Sequence, residues 1–154
     1  MFRAPGLPTV AGMDALQLIE QTTTTWNNRD RDGFFACYAE DCEITAPGFV
    51  GKGHQGVAEF WSAYMDAFPD NRIVLATTVG GQSDTAAEEG SLEGTHTGPL
   101  TGADGSTIAP TGNRVDSRFV GFHTERDGKI SSTRFYFDQL DFLGQLGLAA
   151  GVAL

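Results

Sequence analysis

RVDSRFVGFHTERDGKISSTRFYFD, residues 114–138, decides the fold. Asp127-Gly128 lies between two runs rich in β-branched and aromatic residues. A type I′ turn needs positive φ at both central positions, which Asp and Gly tolerate, so the stretch predicts a hairpin. Counting outward from an uninterrupted turn, Arg126 opposes Lys129, His123 opposes Ser132, Gly121 opposes Arg134, Phe119 opposes Tyr136 and Ser117 opposes Asp138. Opposed residues share a face. One face then carries Ser117, Phe119, Gly121, His123, Ser132, Arg134, Tyr136 and Asp138, and the other Arg118, Val120, Phe122, Thr133, Phe135 and Phe137. The first mixes an acid, an imidazole, a phenol and a guanidinium with Phe119, as the wall of a small-molecule cavity does. The second would leave an apolar outer patch of the kind that marks an interface. The opposite assignment, with the Phe face inward, stays open on pattern alone, and a bulge would break the count.

Upstream, period-two segments near 71–80 and 85–97 predict two more strands, joined by Gly80-Gly81 and followed by a Gly/Pro/Thr loop at 98–113. Before them the period is helical. Val57, Phe60, Trp61, Tyr64, Met65 and Phe68 follow helical spacing over 54–68, and Pro69 ends the run. Met13, Leu16, Ile19 and Trp26 predict a first helix over 13–28. Asp30 caps a short second one through Phe34–Tyr38, Cys42–Ala46 reads as a strand, and a last helix covers 139–148. Helices first and a meander afterwards predict an α+β fold: a curved antiparallel sheet forming a cone-shaped cavity, with the N-terminal helices packed across it. One domain over 13–149 is expected, with an arm at 1–12 and a tail at 150–154.

The 154 residues carry 20 acidic and 10 basic side chains, a formal charge of −10 with no basic cluster, which argues against nucleic acid or an anionic membrane as partner. No stretch is apolar enough for a signal peptide or a membrane span, and Cys37 and Cys42 fit two small thiols in a reducing compartment, so a soluble, cytoplasmic protein is expected. His54, His96 and His123 show no short ligand spacing, so no metal is expected.

Phe68-Pro69-Asp70, Gly94-Thr95-His96-Thr97-Gly98, Pro110-Thr111-Gly112, Asp127-Gly128-Lys129-Ile130 and an aspartate seven residues ahead of Gln145-Leu146-Gly147 form an ordered series. Over residues 13–149 it resembles the SnoaL-like polyketide cyclases of the nuclear-transport-factor-2-like superfamily. The resemblance implies a cone, dimeric through its open sheet. It also implies a cyclase that closes a ring of an aromatic polyketide by intramolecular aldol addition without metal or organic cofactor. The family's acid/base aspartate maps onto Asp138 and its pocket histidine onto His123 to within one residue. Arg134 stands where the family commonly has Trp.

On this reading Asp138 is the general acid/base, His123 donates to the enolate or shares the proton, and Tyr136 orients a carbonyl beside Arg134 and Phe119. Asp138 equally suits a helix N-cap. Trp26, Trp61 and Tyr64, with Phe60 and Phe68, would stack on a flat polyketide-derived substrate or form plain core. His96 and His54, at element ends, are candidate substrate contacts or terminal hydrogen-bonders. Glu88, Glu89 and Glu93 read as a solvated strand face, with Glu89 or Glu93 as a second acid if turned inward. Two other functions compete. An epoxide hydrolase or isomerase would use Arg134 beside Asp138 and a further carboxylate, and a non-catalytic binding or dimerisation module would need none of them.

Overall fold

Asp14 opens the first helix, α1 (Ala15–Asn27), through a reciprocal capping box: its carboxylate accepts from the Gln17 N–H, and the Gln17 side chain accepts from the Asp14 N–H. Thr22 and Thr25, poor helix formers, return their hydroxyls to helix carbonyls and bury their methyl groups. After α1 come α2 (Arg31–Ala36), capped by Asp30, and β1 (Tyr38–Ala46), β2 (Phe49–Lys52) and α3 (Gly53–Ala67). The chain continues with β3 (Arg72–Val79), β4 (Thr85–Thr95), β5 (Leu100–Thr101), β6 (Thr107–Ile108), β7 (Arg114–Arg126), β8 (Lys129–Phe137) and α4 (Gln139–Gln145). The computed structural model describes residues 12–102 and 104–148. The expected tail, and all but the last residue of the expected arm, fall outside them. No helix among the described residues is long and apolar enough to cross a membrane.

The fold is α+β, with a curved sheet and helices packed against it. The large sheet runs β2-β1-β8-β7-β4-β3. All its pairings are antiparallel except that of β1 with β8, so the sheet is mixed rather than wholly antiparallel. β5 and β6 make a separate small hairpin inside the 98–113 loop.

The hairpin of β7 and β8 turns at Asp127-Gly128, both at positive φ, and starts with Arg126 opposite Lys129 as expected. A bulge then intervenes. Glu125 pairs with Ile130 but Thr124 pairs with Ser132, leaving Ser131 unpaired, its hydroxyl donating to the Thr124 carbonyl. One extra residue reverses the facing of everything beyond it. His123 therefore opposes Thr133, Gly121 opposes Phe135, and Phe119 opposes Phe137. Phe135 stacks on Phe60 of α3, ring centroids 5.5 Å apart and 10° from parallel. Phe135 and Phe137 thus point inward and Arg134 and Tyr136 outward, which corrects the expected facing of that strand.

The core lies between this concave face and the helices. Trp26 sits at its centre, 5.3 Å from Phe34 and 5.1 Å from Trp61, with Leu18, Ile44 and Ile130 fully buried around it. The Trp26 indole N–H donates to Asn71 Oδ1 at 2.6 Å, and the Asn71 amide donates back to the Phe68 carbonyl, so a buried asparagine fastens α1 to the turn after α3. Replacing Asn71 by Leu orphans the indole donor. It is expected to lower stability by about 1–3 kcal/mol, read from the urea midpoint at constant m-value.

Candidate active site

The cavity opens between α1, α3 and the concave face of the sheet. Its walls are mostly aromatic: Trp26, Phe60, Tyr64, Phe119, Phe135 and Phe137. Burial pushes the Tyr64 phenol up to about 12. Against this apolar lining stands one carboxyl–imidazole pair. Glu88 of β4 and His123 of β7 meet with Oε1 and Nε2 2.7 Å apart, at 5% and 1% exposure, and both line the cavity.

Three local features of the sequence build the pair. In β4, Ala86, Glu88, Gly90 and Leu92 alternate inward, which puts Glu88 in phase with core residues rather than with solvent. In β7, Ser117, Phe119, Gly121 and His123 do the same. Glu88 lies directly opposite Gly121, where a Cβ would come within 2.9 Å of Glu88 Oε1 and 3.0 Å of His123 Nε2. The missing side chain is what lets a carboxylate and an imidazole meet diagonally across two strands.

Both ring nitrogens of His123 are engaged, since Nδ1 lies 2.9 Å from Thr133 Oγ1. Glu88 is not similarly saturated. Its Oε2 accepts no hydrogen bond from the described residues, so the atom of the pair left to act on a molecule in the cavity is a carboxylate oxygen.

The other expected site residues scatter. Phe119, Trp26 and Tyr64 line the cavity, whereas Trp61 is buried behind Trp26 in the core. Asp138 is exposed and caps α4, accepting from the Asp141 N–H at 2.9 Å. Tyr136 is 56% exposed on the outer face, and Arg134 sits beside it with its guanidinium 5.6 Å from the Phe122 ring centroid. The bulge at Ser131 accounts for Arg134 and Tyr136, and Asp138 follows them out of the cavity. His54 is exposed at the start of α3 and meets the Tyr38 carbonyl. His96 is fully buried beyond Phe68, its Nδ1 tied to Thr111, and its burial holds it below the ordinary histidine value. Glu89 and Glu93 face outward, Glu93 pairing with Arg114 at 3.4 Å, so the inward acid of that strand is Glu88. The alternation of Ala86, Glu88 and Leu92 carried that signal. Among the described residues no three His, Cys, Asp or Glu converge as metal ligands.

A search of the curated proteins finds no match. Solved structures do match. AclR from Streptomyces galilaeus, a proposed hydroxylase, has a TM-score of 0.74 at 21% identity, over 90% of this chain and 84% of its own. IdmH from Streptomyces antibioticus, a proposed polyketide cyclase, has a TM-score of 0.72 at 22% identity, over 88% and 99%. TerC, crystallised with polyporic acid, has a TM-score of 0.69 at 19% identity, over 86% and 98%. At these identities the likeness is one of fold. The family model of the SnoaL-like polyketide cyclases matches residues 16–146, nearly the whole described domain, and on that match the chain belongs to the SnoaL-like polyketide cyclase family.

Proposed function

We propose that the protein closes a ring of a polyketide-derived small molecule by intramolecular aldol addition, with Glu88 as the acid/base group and no metal or organic cofactor in the reaction. The observation that carries this is the Glu88–His123 pair, buried at 2.7 Å in an aromatic cavity with Glu88 Oε2 uncommitted. Oε2 takes a proton from the carbon between two carbonyls, and the resulting enolate spreads over the substrate's own π-system. The enolate carbon then adds to a second carbonyl carbon, forming the C–C bond and breaking the C=O π bond. The new alkoxide recovers the proton from Glu88. His123 does not donate to the enolate in this scheme, because neither ring nitrogen is open to the cavity; it steadies the Glu88 charge. Family membership and the small molecule bound by TerC, a neighbour in fold, support the substrate class.

The test is incubation with aromatic 1,3-dicarbonyl esters followed by mass spectrometry. An aldol product has the mass of its substrate and a new retention time. A product heavier by one water would replace this reading with hydrolysis, and binding without turnover would replace it with a carrier role. The hydrolytic alternative is weakened by geometry, since Arg134 and Asp138 both lie outside the cavity.

We also propose a homodimer through the outer sheet face. Val74, Val79, Val120, Phe122 and Tyr136 are exposed there together, a cluster that water disfavours. Phe135 and Phe137, expected on this face from an unbulged count, are not part of it. Sedimentation equilibrium should give about twice the 16.4 kDa chain mass, and Phe122→Glu should shift it toward monomer. A wild-type monomer at micromolar concentration contradicts the proposal.

A further inference from the structure

The Glu88–His123 contact continues behind the cavity wall. Thr133, fully buried on β8 opposite His123, holds Oγ1 2.9 Å from His123 Nδ1. Donor and acceptor roles follow from chemistry. An ionised Glu88 can only accept, so His123 Nε2 carries a hydrogen. A neutral imidazole then has its lone pair on Nδ1, so the Thr133 hydroxyl donates to it.

We propose that Thr133 and His123 form a one-directional hydrogen-bond chain ending on Glu88 Oε1, and that Thr133 is the positioning residue holding His123 in its Nε2–H tautomer. The proposal rests on Glu88 being the base. Its consequence is that the proton between Oε1 and Nε2 stays on the imidazole, leaving Glu88 charged and Oε2 ready for the substrate's proton. Each donor in such a chain polarises the next. Without a donor at Nδ1, the hydrogen can move to that nitrogen. The Nε2 lone pair would then face the carboxylate, and Glu88 would be driven to take up a proton and lose its function as base. Val fills the space of Thr in a strand and removes only the hydroxyl, whereas Ser keeps the hydroxyl and drops a methyl group.

The experiment compares wild type, Thr133→Val, Thr133→Ser and Glu88→Gln by two readouts. One is nitrogen NMR of the His123 ring. The other is proton abstraction from nitrobenzisoxazole, a flat carbon acid whose C–H and N–O bonds break together to give a coloured cyanophenolate. Wild type and Thr133→Ser should show a protonated Nε2 and an unprotonated Nδ1, with kcat within about threefold of each other. Thr133→Val should lose that tautomer preference and about 10- to 100-fold in kcat, with KM within about twofold. A Thr133→Val protein with the wild-type ring spectrum and kcat overturns the chain, as does a Thr133→Ser protein that fails like Thr133→Val, which would mark a packing role. Glu88→Gln separates the two ideas. If it is inactive while Thr133→Val is normal, only the chain fails. If it is as fast as wild type, or wild type has no rate above acetate buffer, the base assignment fails, and the NMR comparison alone decides what Thr133 does to His123.

Discussion

Glu88→Gln should lower the rate of proton abstraction from carbon by about 10²–10⁴-fold while leaving the fold and ligand binding in place. Gln keeps the length and planarity of the side chain, and its carbonyl oxygen can still accept from His123 Nε2 in the buried contact. What it cannot do is take a proton. The loss should therefore fall on kcat, read with nitrobenzisoxazole or with any dicarbonyl ester that turns over, while quenching of the cavity's Trp26 by a bound aromatic acid is retained. Asp138→Asn is the control. An exposed N-cap is served about as well by Asn as by Asp, so that variant should match wild type in both rate and stability. The opposite pattern, a dead Asp138→Asn and a normal Glu88→Gln, would return the acid/base role to the aspartate that the family resemblance points to.

Gly121→Ala should cost nearly as much by a different route. The added methyl would stand 2.9 Å from Glu88 Oε1, 2.9 Å from Phe135 Cε1 and 3.0 Å from His123 Nε2. Moving one flexible side chain end is cheap, but these atoms are held by one another and by the stacked Phe60–Phe135 pair. Relief requires opening the carboxylate–imidazole contact. Overpacking of this kind costs about 1–3 kcal/mol of stability. A base whose charge is no longer held by His123 should lose about 10²-fold in kcat. Thermal unfolding and the same rate assay check both parts, and a Gly121→Ala enzyme at wild-type kcat would mean that the close contact is not needed for turnover.

The residues through which the family could be seen in the sequence are mostly not at the cavity. Asp70 accepts from the Thr95 N–H at 2.7 Å, which holds its carboxyl below the usual range. Thr97 and Gly98 donate to the Ala67 carbonyl, and His96 is tied to Thr111. These contacts splice the end of α3 to the ends of β4 and β7, and such joints constrain residue type at short spacing, which makes them legible. Chemistry in the cavity depends instead on facing, and facing is a property of the whole register. The facing of His123 is legible because it lies on β7, the strand to which the bulge adds no residue. The facing of Arg134 and Tyr136 is not legible, because a bulge adds a residue without any Gly or Pro to announce it; Ser131 is an ordinary strand residue. Asp138 has the local pattern of a cap, and it caps α4. Glu88 reads locally as one of three surface acids; its alternation with Ala86 and Leu92 and the glycine opposite it are what turn it inward. The parallel pairing of β1 could not be read from either strand, because nothing local distinguishes a strand that will lie beside its sequence neighbour from one that waits for a distant partner.

That distant partnership bears on how the protein is made. Tyr38 of β1 pairs with Ile130 of β8, 92 residues further along the chain. A ribosome has therefore synthesised α1, α2, β1 and α3, with Trp26, Phe34 and Trp61 among them, long before the strand that closes the sheet over them exists. Loop closure over such a span is slow compared with the formation of local helices. During that interval β1 is paired only with the four-residue β2 and has an open edge toward β8. The order of synthesis thus makes the last hairpin the commitment step: a nascent chain released before residue 129 has α1 to α3 and β1 to β7 but neither α4 nor β8, the strand that joins the two halves of the sheet.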